Sequence, residues 1–200
     1  MRRFRIDRVL FVPSGIPPHK PEDELAPYVH RFAMVALAAR GEPAFVPSTL
    51  EAPKADGQPN YSVETARAAR RLLRPGDRLY SILGVDSFLD LPNWKDYDRL
   101  IKLADFIVVS RPGFGSRELL ASLGNGHVRA GLSRAGSNLI WPDGAGVHVL
   151  AGVRASIASR QIRRAAARRR PLAGLVPPLV EEYIVKESLY GPVRAGRGGK

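Results

Sequence analysis

Between residues 79 and 113 the chain reads LYSILGVDSFLDLPNWKDYDRLIKLADFIVVSRPG, and its chemistry-bearing residues stand where two short apolar runs end. The runs, 79–83 and 106–109, are rich in Ile and Val and bracketed by turn-formers, the pattern of buried strands. The first leads into Gly84-Val85-Asp86-Ser87 and the second into Arg111-Pro112-Gly113. In an open parallel sheet, ligands bind beyond the carboxyl ends of the strands. Glycine, carboxylate and guanidinium therefore stand where the phosphates and sugar of a nucleotide would lie. Two ordinary strand-to-helix turns would use the same residues, with glycine for geometry and Asp86 as a helix cap.

The elements that must position these groups alternate between strand-like and helix-like. Strands are predicted over 8–12, 44–46, 79–83, 106–109 and 147–150, and helices over 28–39, 62–73, 97–103, 116–123, 156–169 and 177–186. That alternation predicts an α/β fold, a parallel sheet with crossover helices. Ser62 is expected to cap its helix, with Glu64 favoured in the first turn and Arg74-Pro75-Gly76 ending it. Residues 124–143, rich in Gly, Ser and Asn, read as an irregular connection.

The totals narrow the class. Two hundred residues suit one domain with a substantial core. That domain is expected over 1–190, with a disordered basic tail over 191–200. No apolar run approaches the roughly 20 residues needed to span a bilayer. The opening MRRFRID lacks the apolar stretch of a signal peptide. With no cysteine, disulfides and thiolate metal sites are excluded, and the cytoplasm is the expected compartment. The net charge of +12 is concentrated at Arg163, Arg164, Arg168, Arg169 and Arg170 and in the tail. A positive surface suits nucleic acid, nucleotide substrates, or an Arg-rich genome with no functional consequence. No aromatic residues interleave with these arginines, which disfavours a nucleic-acid stacking surface.

The wording of the motifs is more specific. G-x-D-S, L-P-x-W and R-P-G, in that order, resemble the bacterial nicotinate mononucleotide adenylyltransferases. VLFVPSGIPPHK at residues 9–20 is similar to that family's second strand and P-P-H-K loop. Residues 31–39 resemble its R-x-x-M-x-x-L-A helix, and Asn60-Tyr61-Ser62 with Thr65 its S-Y-T-x-x-T segment. Residues 157–163, IASRQIR, resemble I-S-S-T-x-I-R, and 175–190 the closing V-P-x-x-V-x-x-Y-I helix. The resemblance implies a Rossmann-like nucleotidylyltransferase fold with helices on both faces of a parallel sheet. It also implies transfer of the adenylyl group of ATP to nicotinate mononucleotide, with Mg2+, in NAD synthesis. The family's opening G-G-x-F-D-P-x-H-x-G-H, which carries its catalytic histidine pair, has no counterpart here. The first strand and helix are thus missing from this chain, and no catalytic residue is carried over. The alternatives are a related nucleotidylyltransferase with another substrate, or a nucleotide- or RNA-binding remnant without catalysis.

Adenylyl transfer needs no protein nucleophile, because a phosphate oxygen of the mononucleotide attacks the α-phosphorus of ATP. The protein must position the two substrates and supply charge. The resemblance places His19, Lys20 and Arg111 among the substrate-binding residues, with Gly84 and Asp86 beside ribose or a hydrated metal ion. It places Trp94 and Lys95 at the pyridine ring and its carboxylate, with Tyr61 and Ser62 as the opposing wall. Ile157, Ser159 and Arg163 correspond to the ATP-binding helix start, where exposed N–H groups and the helix dipole favour phosphate. Ala158 and Arg160 depart from the family's serine and threonine there. Tyr97 reads as packing. His30, His127 and His148 lie at no metal-ligand spacing and read as ordinary histidines.

Phe4 and Ile6 among arginines read as the end of a crossover helix, so Met1 is expected to be an internal methionine of a longer protein. The coding DNA upstream, read in frame, should supply about 20–30 residues with an apolar strand, a glycine-rich turn and H-x-G-H. An in-frame stop directly before Met1, with a soluble and active 200-residue product, would defeat this expectation. It would move the catalytic role to His19 or Lys20.

Overall fold

The computed structural model describes residues 2–18, 25–110, 115–123, 132–135, 138–141, 145–152 and 157–191. It contains two compact units, residues 1–59 with 156–200 and residues 60–155.

In the first unit, β1 (Val9–Phe11) runs parallel to β2 (Phe45–Pro47), with α1 (Tyr28–Ala39) as the crossover. Val9 pairs with Phe45 and Phe11 with Pro47. The Phe11 and Phe45 rings meet edge to face at 5.0 Å, which fixes the side-chain register of the short pair. The same unit holds α6 (Ser159–Ala167) and α7 (Pro178–Lys186). Proline opens α7, where its missing N–H is not needed. Val180 and Ile184, one turn apart, bury the inner face of α7 with Leu172. Met34 and Leu37 of α1 and Ile162 and Ala166 of α6 pack on that cluster. Polar contacts then fix the helix positions. His30 Nδ1 lies 2.9 Å from the Tyr183 hydroxyl, and the Leu172 N–H donates to Glu181 Oε1 at 2.7 Å.

Arg31, at the start of α1, ties down the segment that follows β1. Its guanidinium donates to the carbonyls of Ala26 at 2.9 Å, Gly15 at 3.0 Å and Ser14. One planar fork thus holds backbone on both sides of the P-P-H-K loop, a geometry that a lysine ammonium cannot reproduce.

In the second unit, the order β3-β4-β7-β6-β5 forms a five-stranded sheet. β3 (Tyr80–Gly84), β4 (Asp105–Val109) and β7 (Gly146–Leu150) are parallel. β6 (Asn138–Ile140) and β5 (Ser133–Ala135) continue the sheet as an antiparallel hairpin. β4 is buried from Asp105 to Val108, as expected for a parallel strand covered on both faces. Phe88, Phe106 and Trp141 form an aromatic centre with ring separations of 5.8, 5.9 and 6.4 Å. Asp105 anchors the opposite end of the sheet. One carboxylate oxygen accepts the Gly146 N–H of β7 at 2.8 Å, and the other pairs with Arg78 just before β3. Around the sheet stand α2 (Ser62–Arg70), α3 (Val85–Leu89), α4 (Tyr97–Leu100) and α5 (Ser116–Ser122).

Four details differ from the sequence-based expectation. The stretch 124–143 contains the β5–β6 hairpin, two strands of three residues each whose Leu139 enters the core. Ser62 is the first helical residue of α2, while Tyr61 occupies the cap and makes no side-chain bond there. α2 ends at Arg70, and the chain turns before Gly76, whose φ of +93° suits glycine alone. α6 begins at Ser159, with Ala158 as its cap. Ser156 and the tail 192–200 lie outside the described residues.

Arg31→Ala should lower unfolding stability by about 2–3 kcal/mol, because partly buried carbonyls lose a charged donor. Arg31→Lys should recover only a minor part. Urea denaturation midpoints measure both, and equal stability of all three proteins would contradict the anchoring role.

Candidate active site

The carboxyl ends of the parallel strands are aligned: Gly84 of β3 pairs with Val109 of β4, which pairs with Leu150 of β7. Whatever follows each strand therefore leaves from one edge of the sheet. After β3 this is α3, with Gly84 as cap residue and Asp86 in the first turn. After β4 it is Ser110, buried and donating its N–H to the Leu150 carbonyl at 3.1 Å. Arg111, next in the chain, lies outside the described residues, as do His19, Lys20 and His127.

Gly84 has no structural need to be glycine. Its φ of −69° and ψ of 155° are open to any residue, and a Cβ there would meet nothing within 4 Å. The open space lies beside an exposed Asp86, as a close approach of substrate to backbone requires.

α3 is pressed onto the sheet by Phe88, and the turn after it by Leu91, both wholly buried. These two anchors leave Asp86, Asp90 and Trp94 at the surface end of the packing. Trp94 is half-buried, its ring against the edge of the core, and its indole N–H donates to Asp90 Oδ2 at 3.2 Å. Asp90 Oδ1 accepts from Asn93 Nδ2 at 2.8 Å, so one carboxylate grips both residues of the N-W pair. The fully buried tryptophan of this unit is Trp141, not Trp94. Sequence reasoning missed Asp90. Its signal was the D-x-x-N-W spacing, which brings residues three and four positions apart onto one side of a helical turn.

Tyr61 and Lys95 meet directly. The Lys95 Nζ lies 3.9 Å from the centroid of the Tyr61 ring, a close cation–π contact. Tyr61 and Trp94 both pack on the same core cluster, so one wall and the facing turn share a support. Ser62 is half-buried beside them at the start of α2. Tyr97 packs on this cluster too, as expected, and burial raises its phenol above the ordinary value.

In the first unit, α6 has no acidic residue in its first turn, and its cap residue Ala158 makes no side-chain bond to its opening N–H groups. Ile157 and Ser159 are exposed there, and Arg163 lies one turn beyond Ser159. Burial raises the Tyr190 phenol, while the charges of Arg163 and Arg31 oppose that rise. His30 is a packing histidine bonded to Tyr183, as expected. His148 lies on β7 with its ring 5.9 Å from that of Tyr80. Among the described residues no cluster of three or more His, Cys, Asp or Glu side chains could hold a metal ion.

Residues 1–165 match the family described as Cytidylyltransferase-like. Over 94% of this chain and 86% of the relative's length, the sequence is 39% identical to a protein of Geobacter sulfurreducens named "Probable nicotinate-nucleotide adenylyltransferase". A protein of Coprothermobacter proteolyticus with the same name is 35% identical over 96% of this chain and 84% of its own length. The chain belongs to the nicotinate-nucleotide adenylyltransferase family. The fold agrees: a solved Plasmodium falciparum nicotinic acid mononucleotide adenylyltransferase superposes with a TM-score of 0.62 at 16% identity. That match covers 92% of this chain and 82% of the other. The β5–β6 hairpin makes the sheet of the second unit mixed, within the nucleotidylyltransferase fold that the motifs imply.

Gly84→Ala separates a ligand requirement of this family member from a folding one. Stability should stay within about 0.5 kcal/mol, because the added methyl enters open space. Nucleotide binding should weaken about tenfold or more, because the backbone no longer admits close approach. Thermal melting and calorimetric titration read the two effects. A destabilised variant with normal binding would reverse the assignment.

Proposed function

We propose that this chain transfers the adenylyl group of ATP to nicotinate mononucleotide, forming deamido-NAD and pyrophosphate in NAD biosynthesis. The observation that carries the reading is the 39% identity, over 94% of the chain, to a relative with that name. The meeting of Tyr61 with Lys95, beside a Trp94 held by Asp90, supports it from the site itself.

The reaction joins a phosphate oxygen of the mononucleotide to the α-phosphorus of ATP and breaks the α–β bridge, so pyrophosphate leaves with the bond's electron pair. Neither step needs a covalent enzyme intermediate. The protein contributes alignment and charge. Ser159, Arg163 and the opening N–H groups of α6, with Ile157 at its approach, hold ATP phosphates, because a helix start without acidic residues favours anions. Gly84 admits substrate to the backbone. Asp86 accepts hydrogen bonds from ribose or from water on a metal ion. A family reaction on ATP calls for a divalent cation, and we assign Mg2+. An exposed carboxylate, with no cage of three or more His, Asp or Glu among the described residues, fits an ion held chiefly by phosphates and water. Bound there, the ion would neutralise charge on the phosphates.

The substrate contacts of His19, Lys20 and Arg111 belong to the same reading and rest on their motifs. Among the described residues no helix is long and apolar enough to cross a membrane. The absence of cysteine supports work in the cytoplasm.

The proposed roles of α6 and of Trp94 should separate kinetically, by steady-state pyrophosphate release with each substrate varied. Arg163→Ala should raise the Michaelis constant for ATP by about 10- to 100-fold, the worth of a charge-assisted contact. Ser159→Ala should raise it less. Trp94→Ala should weaken the mononucleotide by about 1–3 kcal/mol with ATP unchanged. Unaltered ATP kinetics in Arg163→Ala would make α6 merely a basic surface. Equal losses for both substrates in Trp94→Ala, with a lowered melting temperature, would make Trp94 a packing residue.

A further inference from the structure

Apart from Arg163, the arginines of α6 have no part in the proposed reaction. From residue 157 to residue 180 the chain carries six arginines, no lysine and no carboxylate. Ile162, Ala165 and Ala166 turn one side of α6 onto the apolar cluster of the first unit. Arg160, Arg164 and Arg168 are exposed and stand four residues apart. Four helical residues advance about 6 Å, so the three guanidinium groups form a row along one face. Among the described residues none of the three is in an ion pair. Like charges at this spacing destabilise a helix, so the row weakens the fold unless an outside anion offsets it.

The end of the helix carries a second strain. Arg168 closes α6, and the chain then reverses. The Arg169 N–H donates to the Ala166 carbonyl and the Arg170 N–H to that of Ala165, both at 2.9 Å. This paired closure needs a left-handed residue after the cap, a place that glycine fills most often. Arg169 fills it here, with φ of +53°, a conformation that disfavours any residue with a Cβ. The strain keeps a positive charge where glycine would be more stable. Arg168, Arg169 and Arg170 are all exposed around the turn.

We infer that the exposed arginines of α6 and of its closing turn bind the sugar-phosphate backbone of a nucleic-acid duplex, without reading its bases. Guanidinium forks make paired hydrogen bonds to phosphate oxygens, and the row is built from them alone. A duplex presents phosphates in a regular line, with about 3.4 Å of axis per nucleotide on each strand. One step from arginine to arginine therefore matches about two nucleotides. No aromatic residue lies between the arginines to stack on unpaired bases. An anionic membrane calls for apolar side chains beside the charges, and Ile162 packs inward. The closing turn is also distinct from the start of α6, where ATP is proposed to bind: it lies about 13 Å further along the helix axis. This inference does not depend on the proposed reaction.

The test is fluorescence anisotropy with a DNA duplex and an RNA duplex, each of about 20 base pairs, between about 50 and 200 mM salt. The unaltered protein should bind both, and the logarithm of its affinity should fall with that of salt with a slope of about −3 to −5. The stronger of the two duplexes identifies the form preferred, and either supports the proposal. A protein carrying both Arg164→Gln and Arg168→Gln should bind about tenfold or more weakly at the lower salt, with a slope smaller by about two. Arg169→Gly should weaken binding about three- to fivefold and at the same time raise the melting temperature, because glycine suits the left-handed turn. An arginine with a merely structural role would not lose affinity while gaining stability. If the double variant melts early, Arg169→Gly alone decides. Failure of the unaltered protein to bind either duplex at the lower salt overturns the proposal, as does binding that ignores salt. Full affinity in Arg169→Gly, or in a double variant that melts normally, overturns it too. Tighter binding to vesicles with about one-third phosphatidylserine than to either duplex would make this face a membrane surface instead.

Discussion

Three strands that run the same way and end together govern this molecule. Gly84, Val109 and Leu150 are successive partners across β3, β4 and β7, so their carboxyl ends form one edge. Parallel pairing of this kind is possible only when crossovers return each strand to the same starting side, and the crossovers must cover both faces. β4, buried along most of its length, carries that requirement most plainly. Because the ends coincide, Gly84, Val109 and Leu150, distant in sequence, stand along one edge of the sheet. A small polar site can then be built on the rim of a rigid apolar sheet.

Packing supplies the precision at that rim. α3 is only five residues long, too short to be stable alone. Phe88 and Leu91 drive into the core and hold it, and Asp90 fixes the indole of Trp94 from the other side. Asp105 does similar work at the opposite end of the sheet, where its two oxygens bind a backbone N–H of β7 and the guanidinium of Arg78. The first unit uses Arg31 in the same spirit, clamping carbonyls of the segments that lead into and out of the P-P-H-K loop. In each case one charged side chain organises backbone that hydrophobic contact alone would leave loosely placed.

The distribution of charge follows the proposed chemistry. In that proposal the substrates are anionic, and the helix start at α6 would meet them with N–H groups, a hydroxyl and Arg163. In the second unit the aromatic face of Tyr61 carries the ammonium of Lys95. A phosphate site can rely on strong net charge.

Most of the elements were legible from the sequence because their signals are local. Apolar runs of Ile and Val marked β3 and β4, and α1 was predicted over its observed span. The ordered motifs G-V-D-S, L-P-N-W and Y-S pointed to the family, and they carry the residues that meet in the second unit. Other features depended on partners far along the chain. The β5–β6 hairpin has strands of only three residues, too short to show a period, and Leu139 joins the core through partners far along the chain. Tyr61 took the cap of α2 in place of Ser62, a choice that packing against the core decided over the local preference for a hydroxyl. The contact between Lys95 and Tyr61 spans more than thirty residues of sequence, and the grip of Asp90 on Trp94 depends on a turn held in place by buried Leu91. Sequence by itself determined which chemical groups the protein carries and the family they belong to. Tertiary structure alone decided which groups touch, because contact depends on long-range pairing and burial that local periodicity does not encode.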